Sequence, residues 1–190
     1  ISKENYYKQL RAFGVKTYFI VYDLLPILKD KYFPQEWLLK EVHTNWLNII
    51  KQSDGAICIS KSVENELENW LQINPLINNS FSTSYFHLGA DIKSNISSKG
   101  LSSDSENILK KISSKKSFLM IGTIEPRKSY SQVLESFEKL WEDGLDINLV
   151  IVGKEGWLVD ELINRIKNHK ELNKRFFWLE GISDEYLEKI

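Results

Sequence analysis

Residues 117–128 have the sequence SFLMIGTIEPRK, and this stretch decides the fold. Its first five residues are typical of a buried strand, and residues 131–141 beyond it carry apolar side chains at helical spacing up to a stop at Gly144. Strands that alternate with helices predict a parallel sheet with right-handed crossovers. The alternation continues with strands at 148–152 and 176–179, a helix around Leu162, Ile163 and Ile166, and a last helix that begins at Ser183.

The first half of the chain shows the same alternation less regularly. Residues 15–22 form a β-branched and aromatic run that is apolar almost throughout, which predicts a strand covered on both faces. The fold class predicted is therefore α/β, with two Rossmann-like halves built on parallel sheets and incomplete at both ends. The other predicted elements of this half are a helix within 34–50, strands at 56–59 and 81–86, and a helix capped by Ser60 or Ser62 that runs through Trp70.

A stretch of different composition lies between the halves. Residues 93–116 are rich in Ser, Lys and Asn and lack aromatic residues, with one short apolar cluster at Ile108, Leu109 and Ile112. This composition predicts a linker that carries one helical turn. The predicted domains are therefore 1–92 and 117–190, on either side of that linker.

Composition excludes several classes of protein. The chain has 190 residues, 42% of them hydrophobic, and a formal net charge of -1, so it is neither disordered nor basic enough to coat nucleic acid or an anionic membrane. Its single cysteine cannot form an internal disulfide, no Cys/His cluster has zinc spacing, and no apolar run approaches the roughly 18–20 residues of a membrane span. Because the only methionine is Met120, the sequence predicts a piece of a longer polypeptide.

The strongest candidate site is the loop GTIEPRK at 122–128, between a strand and a helix. Gly122 allows close approach of a ligand to the backbone, and Arg127 and Lys128 stand just ahead of a helix N-terminus, where free N–H groups and the helix dipole favour anions. These residues suit a phosphate. A solvated basic loop, with Glu125 pairing one of the cations, explains them equally well from the local sequence alone.

Two weaker candidates follow other strands. Asp23 stands at the carboxyl end of the first strand, where ligands collect in parallel sheets, and could orient a sugar hydroxyl or stabilise developing positive charge. A cap on the following Pro-containing turn is the simpler explanation. Gly153 and Gly156 in VGKEGW suggest a ligand-facing loop, although a plain turn with a packed Trp157 has the same sequence signature.

Taken together, these motifs resemble those of a known family. The segments FLMIGTIEPRKSYSQVLESFEKLW, INLVIVGKEGW and FFWLEGISDEYL resemble the nucleotide-binding half of bacterial retaining glycosyltransferases of the GT4 type, which have the GT-B fold. The pattern G-T-x-E-P-R-K is similar to that of mannosyl- and rhamnosyltransferase-like members that build cell-surface polysaccharides. The segments YDLLPILKDKYFP, DGAICIS and HLGAD resemble the end of the acceptor-side domain and its crossover.

The resemblance implies how the donor would be held. In the family, the donor is a nucleotide-diphosphate sugar bound between the two domains. By correspondence with the motif, Arg127 and Lys128 would neutralise the diphosphate, and Gly122 and Thr123 would allow it to approach the backbone. The resemblance implies no metal and no cofactor besides this donor substrate, and no Asp-x-Asp motif occurs in the chain.

Other correspondences concern the nucleoside and the reacting sugar. Gly153, Gly181 and Ile182 would line the nucleoside pocket. Asp23 would be the catalytic Asp of the family's His-Asp pair, but Tyr22 replaces that histidine. The glycine-rich loop of the acceptor-side domain would precede the chain, and the paired glutamates that clasp the donor sugar would follow it.

The resemblance therefore implies part of an enzyme. The whole protein would transfer a hexose, with retention of configuration, to a glycan or lipid-linked acceptor in cell-surface polysaccharide synthesis, and this part alone would be inactive. It would be cytoplasmic, would bind no nucleic acid, and would associate with the inner face of the membrane peripherally, through segments outside this chain. The replacement at Tyr22 supports an alternative, a non-catalytic glycosyltransferase-fold module for nucleotide binding or assembly.

Overall fold

A computed structural model describes residues 2–75, 78–89 and 97–190. The chain divides into two compact units, Ile1–Asp91 and Ile92–Ile190, and each unit is built on a three-stranded parallel sheet. The predicted α/β class with two parallel sheets is confirmed. Within the described ranges, no helix combines the length and the apolar character that a membrane crossing requires.

The first unit is organised around strands β1, β2 and β3, which pair in that order. In the register of the sheet, Phe19 lies opposite Ala56, and Ala56 lies opposite Thr83. Short 3-10 turns at Asp30–Tyr32 and Gln35–Trp37 lead into the third helix. The helices and strands are, in chain order, α1 (Ser2–Ala12), β1 (Tyr18–Val21), α2 (Leu25–Leu28), α3 (Leu39–Ile50), β2 (Gly55–Cys58), α4 (Lys61–Ile73) and β3 (Ser82–Tyr85).

Two helices of this unit show how local residues set their starts. Helix α3 begins at Leu39, later than the helical spacing suggests, because Leu38 adopts a left-handed conformation with a φ of 48° after the preceding turn. Helix α4 begins after Ser60, whose hydroxyl oxygen accepts the N–H of Val63 at 3.3 Å. Ser60 rather than Ser62 is therefore the cap, since it satisfies one of the free N–H groups of the first turn.

The core of the first unit lies on one face of its sheet. Both crossover helices, α3 and α4, contribute to the same buried cluster, as right-handed crossovers between neighbouring strands require. On the other face of β1, Tyr18 is 52% and Ile20 is 57% exposed. The prediction that this strand is covered on both faces is therefore wrong for the described residues. The cluster contains Val21, Leu24, Leu47, Ile50, Ala56, Cys58, Val63, Leu67 and Trp70.

Cys58, the chain's single cysteine, ends β2 inside this core. Its side chain is fully buried. Burial, with the nearby charge of Glu64 as a second cause, raises the pKa of the thiol to about 11. Cys58 is therefore a small core side chain without the exposed thiolate that cysteine chemistry requires.

The second unit is organised around strands β4, β5 and β6, which also pair in sequence order. Met120 lies opposite Ile151, and Ile151 lies opposite Trp178. The strands and helices predicted beyond residue 117 are all present, and Ser183 caps the last helix by accepting the N–H of Tyr186 at 3.0 Å. The elements are α5 (Ser105–Ser113), β4 (Ser117–Ile121), α6 (Tyr130–Glu142), β5 (Asn148–Val152), α7 (Asp160–Lys167), β6 (Phe176–Leu179) and α8 (Asp184–Leu187).

The central strand of the second sheet is covered on both faces. The edge strand β4 is largely exposed, so the prediction that residues 117–121 form a buried strand is wrong. Alternate residues of β5 point into two separate cores, because successive side chains of a strand face opposite ways. Leu149 and Ile151 lie in a cluster with residues of α6 and α7, and Val150 and Val152 lie in a cluster with residues of α5 and α8. All residues of β5 are buried, so this strand is shared by both cores.

Helix α5 lies within the stretch expected to be a linker. It is nine residues long, and its Ile112 is 3% exposed in the core shared with β5 and β6. The buried side-chain amide of Asn148 donates to the carbonyl oxygens of Lys111 at 3.2 Å and of Ile112 at 3.3 Å, which holds the last turn of the helix. The expectation of a single helical turn here is wrong, because the apolar cluster has a sheet to pack against. Residues 93–96 of the expected linker lie outside the described residues, and the domain limits stay a prediction.

A small set of hydrogen bonds, which we call the Ser98 clip, joins the chain before α5 to the start of α8. The backbone N–H and the hydroxyl of Ser98 both donate to Asp184 Oδ2 at 2.8 Å. The N–H of Gly100 donates to Glu185 Oε2 at 3.0 Å, and the hydroxyl of Ser183 donates to Gly100 O at 2.6 Å. These donors, with the Ser98 N–H first, hold the pKa of Asp184 below its ordinary value.

Candidate functional site

The loop after β4 runs beside the segment that follows β5. The N–H of Gly122 donates to Val152 O at 2.8 Å, and the N–H of Ile124 donates to Lys154 O at 2.9 Å. Gly122 has a φ of 137°, a conformation that side chains disfavour, which explains a glycine at this point of the chain. Ile124 is fully buried, so the loop is anchored on both sides of Thr123.

Two glycines after β5 allow this close approach. A Cβ at Gly153 would lie 1.9 Å from Gly122 O, and a Cβ at Gly156 would lie 2.4 Å from Ile124 O. The carbonyl oxygen of Gly153 also accepts the indole N–H of Trp178 at 2.9 Å. Backbone packing therefore gives Gly153 a reason to be glycine that is independent of the nucleoside pocket predicted for it.

Glu125 forms ion pairs with both cations of the loop. Its side chain is 1% exposed, and its Oε1 lies 2.7 Å from Arg127 Nη2 and 3.0 Å from Lys128 Nζ. Its other oxygen, Oε2, is buried and has no hydrogen-bond partner among the described residues. The loop is therefore more than a solvated basic turn, and Glu125 pairs with both cations rather than with one.

The backbone explains how Lys128 reaches the carboxylate of Glu125. Pro126–Lys128 forms one 3-10 turn, closed by the Lys128 N–H, which donates to Glu125 O at 3.1 Å. This turn brings residues three apart in sequence onto one side. Ser129 then adopts a left-handed conformation with a φ of 57°, after which α6 begins at Tyr130.

Lys128 and Tyr130 both place their side chains at Gly122, directly after β4. A Cβ at Gly122 would lie 2.9 Å from Lys128 Nζ, so the ammonium group stands directly over this glycine. The hydroxyl of Tyr130 donates to Gly122 O at 2.7 Å. Burial, and secondarily the charge of Glu125, raises the pKa of Tyr130, so the phenol stays protonated as a hydrogen-bond donor.

The structure thus brings four of the predicted donor residues, Gly122, Thr123, Arg127 and Lys128, into one loop at the carboxyl end of β4. The cations are 37% and 30% exposed, so each presents part of its charge to solvent while the rest contacts Glu125. They precede α6, a helix of 13 residues whose first N–H groups have no partner within the helix. Fixed cations beside such a helix end can bind an anion.

The residues predicted for the nucleoside lie on two neighbouring strand ends. The N–H of Gly153 donates to Leu179 O at 3.0 Å, so the ends of β5 and β6 are adjacent. Gly181 has a φ of 62° and open space where a Cβ would stand. Ile182 is partly buried against the core that contains Tyr186. Glu180, between these elements, accepts the N–H of Glu155 at 3.2 Å and so ties the two loops together.

Asp23 lies in the first unit, directly after β1. Its Oδ1 accepts the N–H of Leu25 at 3.0 Å, which is the turn cap that the local sequence suggested. It also lines a pocket of about 340 Å³ with Tyr22, His43 and Trp46. The turn explains the conformation of Asp23, and the pocket leaves its carboxylate at the surface of that unit.

Two residues at the loop, Glu125 and Tyr130, have roles that the sequence did not predict. The sequence predicts that Glu125 pairs with one of the cations, and it assigns no role to Tyr130. The available signal was the spacing of Glu125 and Lys128, which one helical turn places together, and an aromatic residue at the first position of a helix. Among the described residues, no group of three His, Cys, Asp or Glu side chains is placed to hold a metal ion.

Comparisons with known proteins agree with the motifs. Residues 103–190 match the family model described as glycosyl transferases group 1. Three relatives from Escherichia coli, each described as serotype-specific mannosyltransferase WbdA, are 38%, 38% and 37% identical over 192 residues. The matches cover 95% of this chain, and the chain spans only 22% of the length of these curated relatives. The resemblance inferred from the sequence is thereby confirmed: residues 103–190 are similar to the group 1 glycosyl transferases, and the chain as a whole is similar to a segment of the mannosyltransferases.

Proposed function

We propose that this chain is part of a retaining glycosyltransferase that moves a hexose from a nucleotide-diphosphate sugar to a glycan or lipid-linked acceptor in cell-surface polysaccharide synthesis. The observation that carries the proposal is the pair Arg127 and Lys128, fixed by Glu125 at the end of β4. The family match and the mannosyltransferases among the relatives support glycosyl transfer, and they make mannose the first sugar to test.

The cation pair suits a leaving diphosphate. When the bond between the sugar and the diphosphate breaks, negative charge develops on the phosphate oxygens, and donors already in place stabilise it without reorganising. Arg127 offers a planar fork and Lys128 a compact charge, both beside the free N–H groups at the start of α6. In this proposal Gly122 and Thr123 let the diphosphate approach the backbone, while Gly153, Gly181 and Ile182 contact the nucleoside.

Calorimetry on the full chain tests the diphosphate site, with nucleoside diphosphates and the corresponding nucleosides as ligands. A charge-assisted hydrogen bond contributes on the order of 1.5–3 kcal/mol, so Arg127→Ala or Lys128→Ala should weaken diphosphate binding about 10- to 150-fold. The nucleoside should bind all variants alike, and salt should weaken only the diphosphate. Lys139→Ala, an exposed lysine at the other end of α6, is the matched control and should change neither affinity. Unchanged diphosphate binding in both loop variants would contradict the proposal.

Asp23 is the proposed catalytic residue, acting on positive charge that develops at the sugar. Asp23→Asn keeps an oxygen that can accept the Leu25 N–H, so the turn should survive while the charge is lost. In the full-length protein, kcat should fall about 100-fold, in the range of a lost electrostatic contact, with donor affinity nearly unchanged. An unchanged kcat would leave Asp23 as a turn cap only.

A non-catalytic module is the alternative, and it is favoured by Tyr22 where the family has histidine. Tyr22 is 61% exposed, so it has no packing role that would explain the replacement. The alternative predicts diphosphate binding without any sugar transfer by the full-length protein. Turnover of a nucleotide sugar that depends on Asp23 would exclude it.

A further inference from the structure

We infer that Glu125 is a positioning residue that holds Arg127 and Lys128 in the geometry in which they bind a diphosphate. The inference rests on the proposed function and adds a residue to it. Glu125 itself would not touch the ligand, because its side chain is 1% exposed and lies beneath both cations.

Burial makes the carboxylate costly, which argues for a role beyond stability. A buried ion pair is often replaced by apolar side chains at no loss of stability. Here Oε2 is also buried without a hydrogen-bond partner among the described residues, which adds to the cost of keeping Glu125. The surrounding residues Ile124 and Tyr130 are themselves buried, so an apolar side chain would suit this position. A carboxylate is needed for what it does to the cations.

Glu125 leaves both cations able to bind a second anion. A guanidinium group has five N–H donors and an ammonium group has three. One contact to Glu125 Oε1 from each cation leaves four donors on Arg127 and two on Lys128. The three charges sum to +1, so the cluster still attracts a phosphate. Glu125 and a diphosphate can therefore be bound at the same time.

The benefit of Glu125 is that the side chains are ordered before the ligand arrives. Lys and Arg lose more rotamer freedom than most residues when they are fixed. Without Glu125, that ordering would reduce the affinity for the diphosphate, and the two cations would repel each other into solvent. With it, Lys128 Nζ already stands over Gly122, where the ligand approaches the backbone.

Two variants of the full chain, Glu125→Gln and Glu125→Asp, test the inference by calorimetry with a nucleoside diphosphate and its nucleoside. Gln keeps the length of the side chain and removes its charge, while Asp keeps the charge and shortens the reach. If Glu125 positions the cations, both variants should weaken diphosphate binding, by about tenfold for one lost element of pre-organisation, and leave nucleoside binding unchanged. Thermal unfolding identifies any variant that does not fold, and the other then decides.

The sign of the Gln effect separates positioning from simple repulsion. Removing a negative charge near the phosphates would by itself strengthen diphosphate binding. The inference would be overturned, and the proposed function left intact, if both Glu125 variants bound the diphosphate as tightly as the parent or more tightly while Arg127→Ala still bound it weakly. Equal losses for diphosphate and nucleoside would also overturn it, since Glu125 would then only support the fold. Unchanged binding in Arg127→Ala would instead contradict the proposed function itself.

A double variant provides the last check. Once Arg127 is replaced by Ala, Glu125 has one cation fewer to position, so Glu125→Gln should cost less in that background than alone. Additive losses in the double variant would mean that the two residues act independently, and this would overturn the inference.

Discussion

The two sheets have the same strand order and the same parallel pairing, but they are covered differently. In the first unit, Ala56 and Cys58 of the central strand face one core, and the opposite face of β1 presents Tyr18 and Ile20 to solvent. In the second unit, the central strand β5 is buried along its whole length between two cores, although the edge strand β4 is as exposed as β1. The difference lies in the elements outside the crossovers.

Crossover helices alone can cover only one face of such a sheet. Right-handed connections between strands in sequence order place every crossover helix on the same side, as for α3 and α4 and again for α6 and α7. The second face therefore depends on elements before the first strand or after the last. In the second unit these are α5 and α8, which contribute Ile112 and Tyr186 to the second core.

The largest expected effect comes from comparing an isoleucine in the central strand β5 with one in the edge strand β1. Ile151→Ala, in the fully buried β5, should lower the free energy of unfolding by about 2–5 kcal/mol, because it leaves a cavity between packed side chains. Ile20→Ala, on the exposed face of β1, should change it by about 0.5 kcal/mol or less. Urea denaturation of both variants measures the difference. Equal losses would mean that the open face of β1 is covered in solution.

The tight glycines of the two sheets give the next largest effects. A Cβ at Gly55 would lie 2.5 Å from Ser82 O, and a Cβ at Gly153 would lie 1.9 Å from Gly122 O. Either change to Ala should cost about 1–3 kcal/mol of stability through overpacking. Only Gly153→Ala should also weaken diphosphate binding, because only this glycine supports the cation loop. Calorimetry and urea denaturation on the same samples test both points, and weaker diphosphate binding in the Gly55 variant would contradict the assignment.

A smaller loss is expected from Asn148→Ala, which releases the end of α5. The carbonyl oxygens of Lys111 and Ile112 would lose a buried donor, at a cost of about 1–2 kcal/mol. Hydrogen exchange should rise in α5 before it rises in β5, because α5 covers one face only. Asn168→Ala is the control, since its amide bonds the Asn164 carbonyl on an exposed helix end. Equal losses in the two variants would show that α5 does not depend on Asn148.

The smallest effect concerns the Ser98 clip and acid. The pKa of Asp184 lies below its ordinary value, so its contribution to the clip is present above that value and is lost as the pH falls through the lowered pKa. At neutral pH, Asp184→Asn should mimic the protonated form. Trypsin should then cut after Lys99 a few-fold faster than in the parent, because Ser98 loses its charged acceptor and keeps only its bonds to the backbone N–H groups of Asp184 and Glu185. An unchanged rate would mean that Glu185 and Ser183 suffice.

Much of the fold could be predicted because it depends on local patterns. The strands of the second unit, such as Asn148–Val152, are short apolar runs between turn signals, and the caps at Ser60 and Ser183 are local hydrogen bonds. Which faces of β1 are buried could not be predicted. An apolar run shows that a strand can be buried, but it does not show which elements pack against it. The extent of α5 was underestimated for the same reason.

In the candidate site too, local features could be predicted from the sequence and tertiary contacts could not. Arg127 and Lys128 could be named from sequence, since cations before a helix N-terminus are a local signal. The burial of Glu125 could not, because burial depends on how the chain packs around the loop in three dimensions. The close contact of Gly153 with Gly122 likewise joins residues far apart in the chain, which glycine content alone does not reveal.

The buried thiol of Cys58 is a chemical probe of how often the first unit opens. With a pKa of about 11, roughly one thiol in a thousand is ionised at pH 8, and even that fraction is shielded from reagents inside the core. Modification by a disulfide reagent therefore waits for the first unit to open. Since the chain has no other cysteine, the labelling rate measures the opening of that unit alone, and the second unit contributes no labelling.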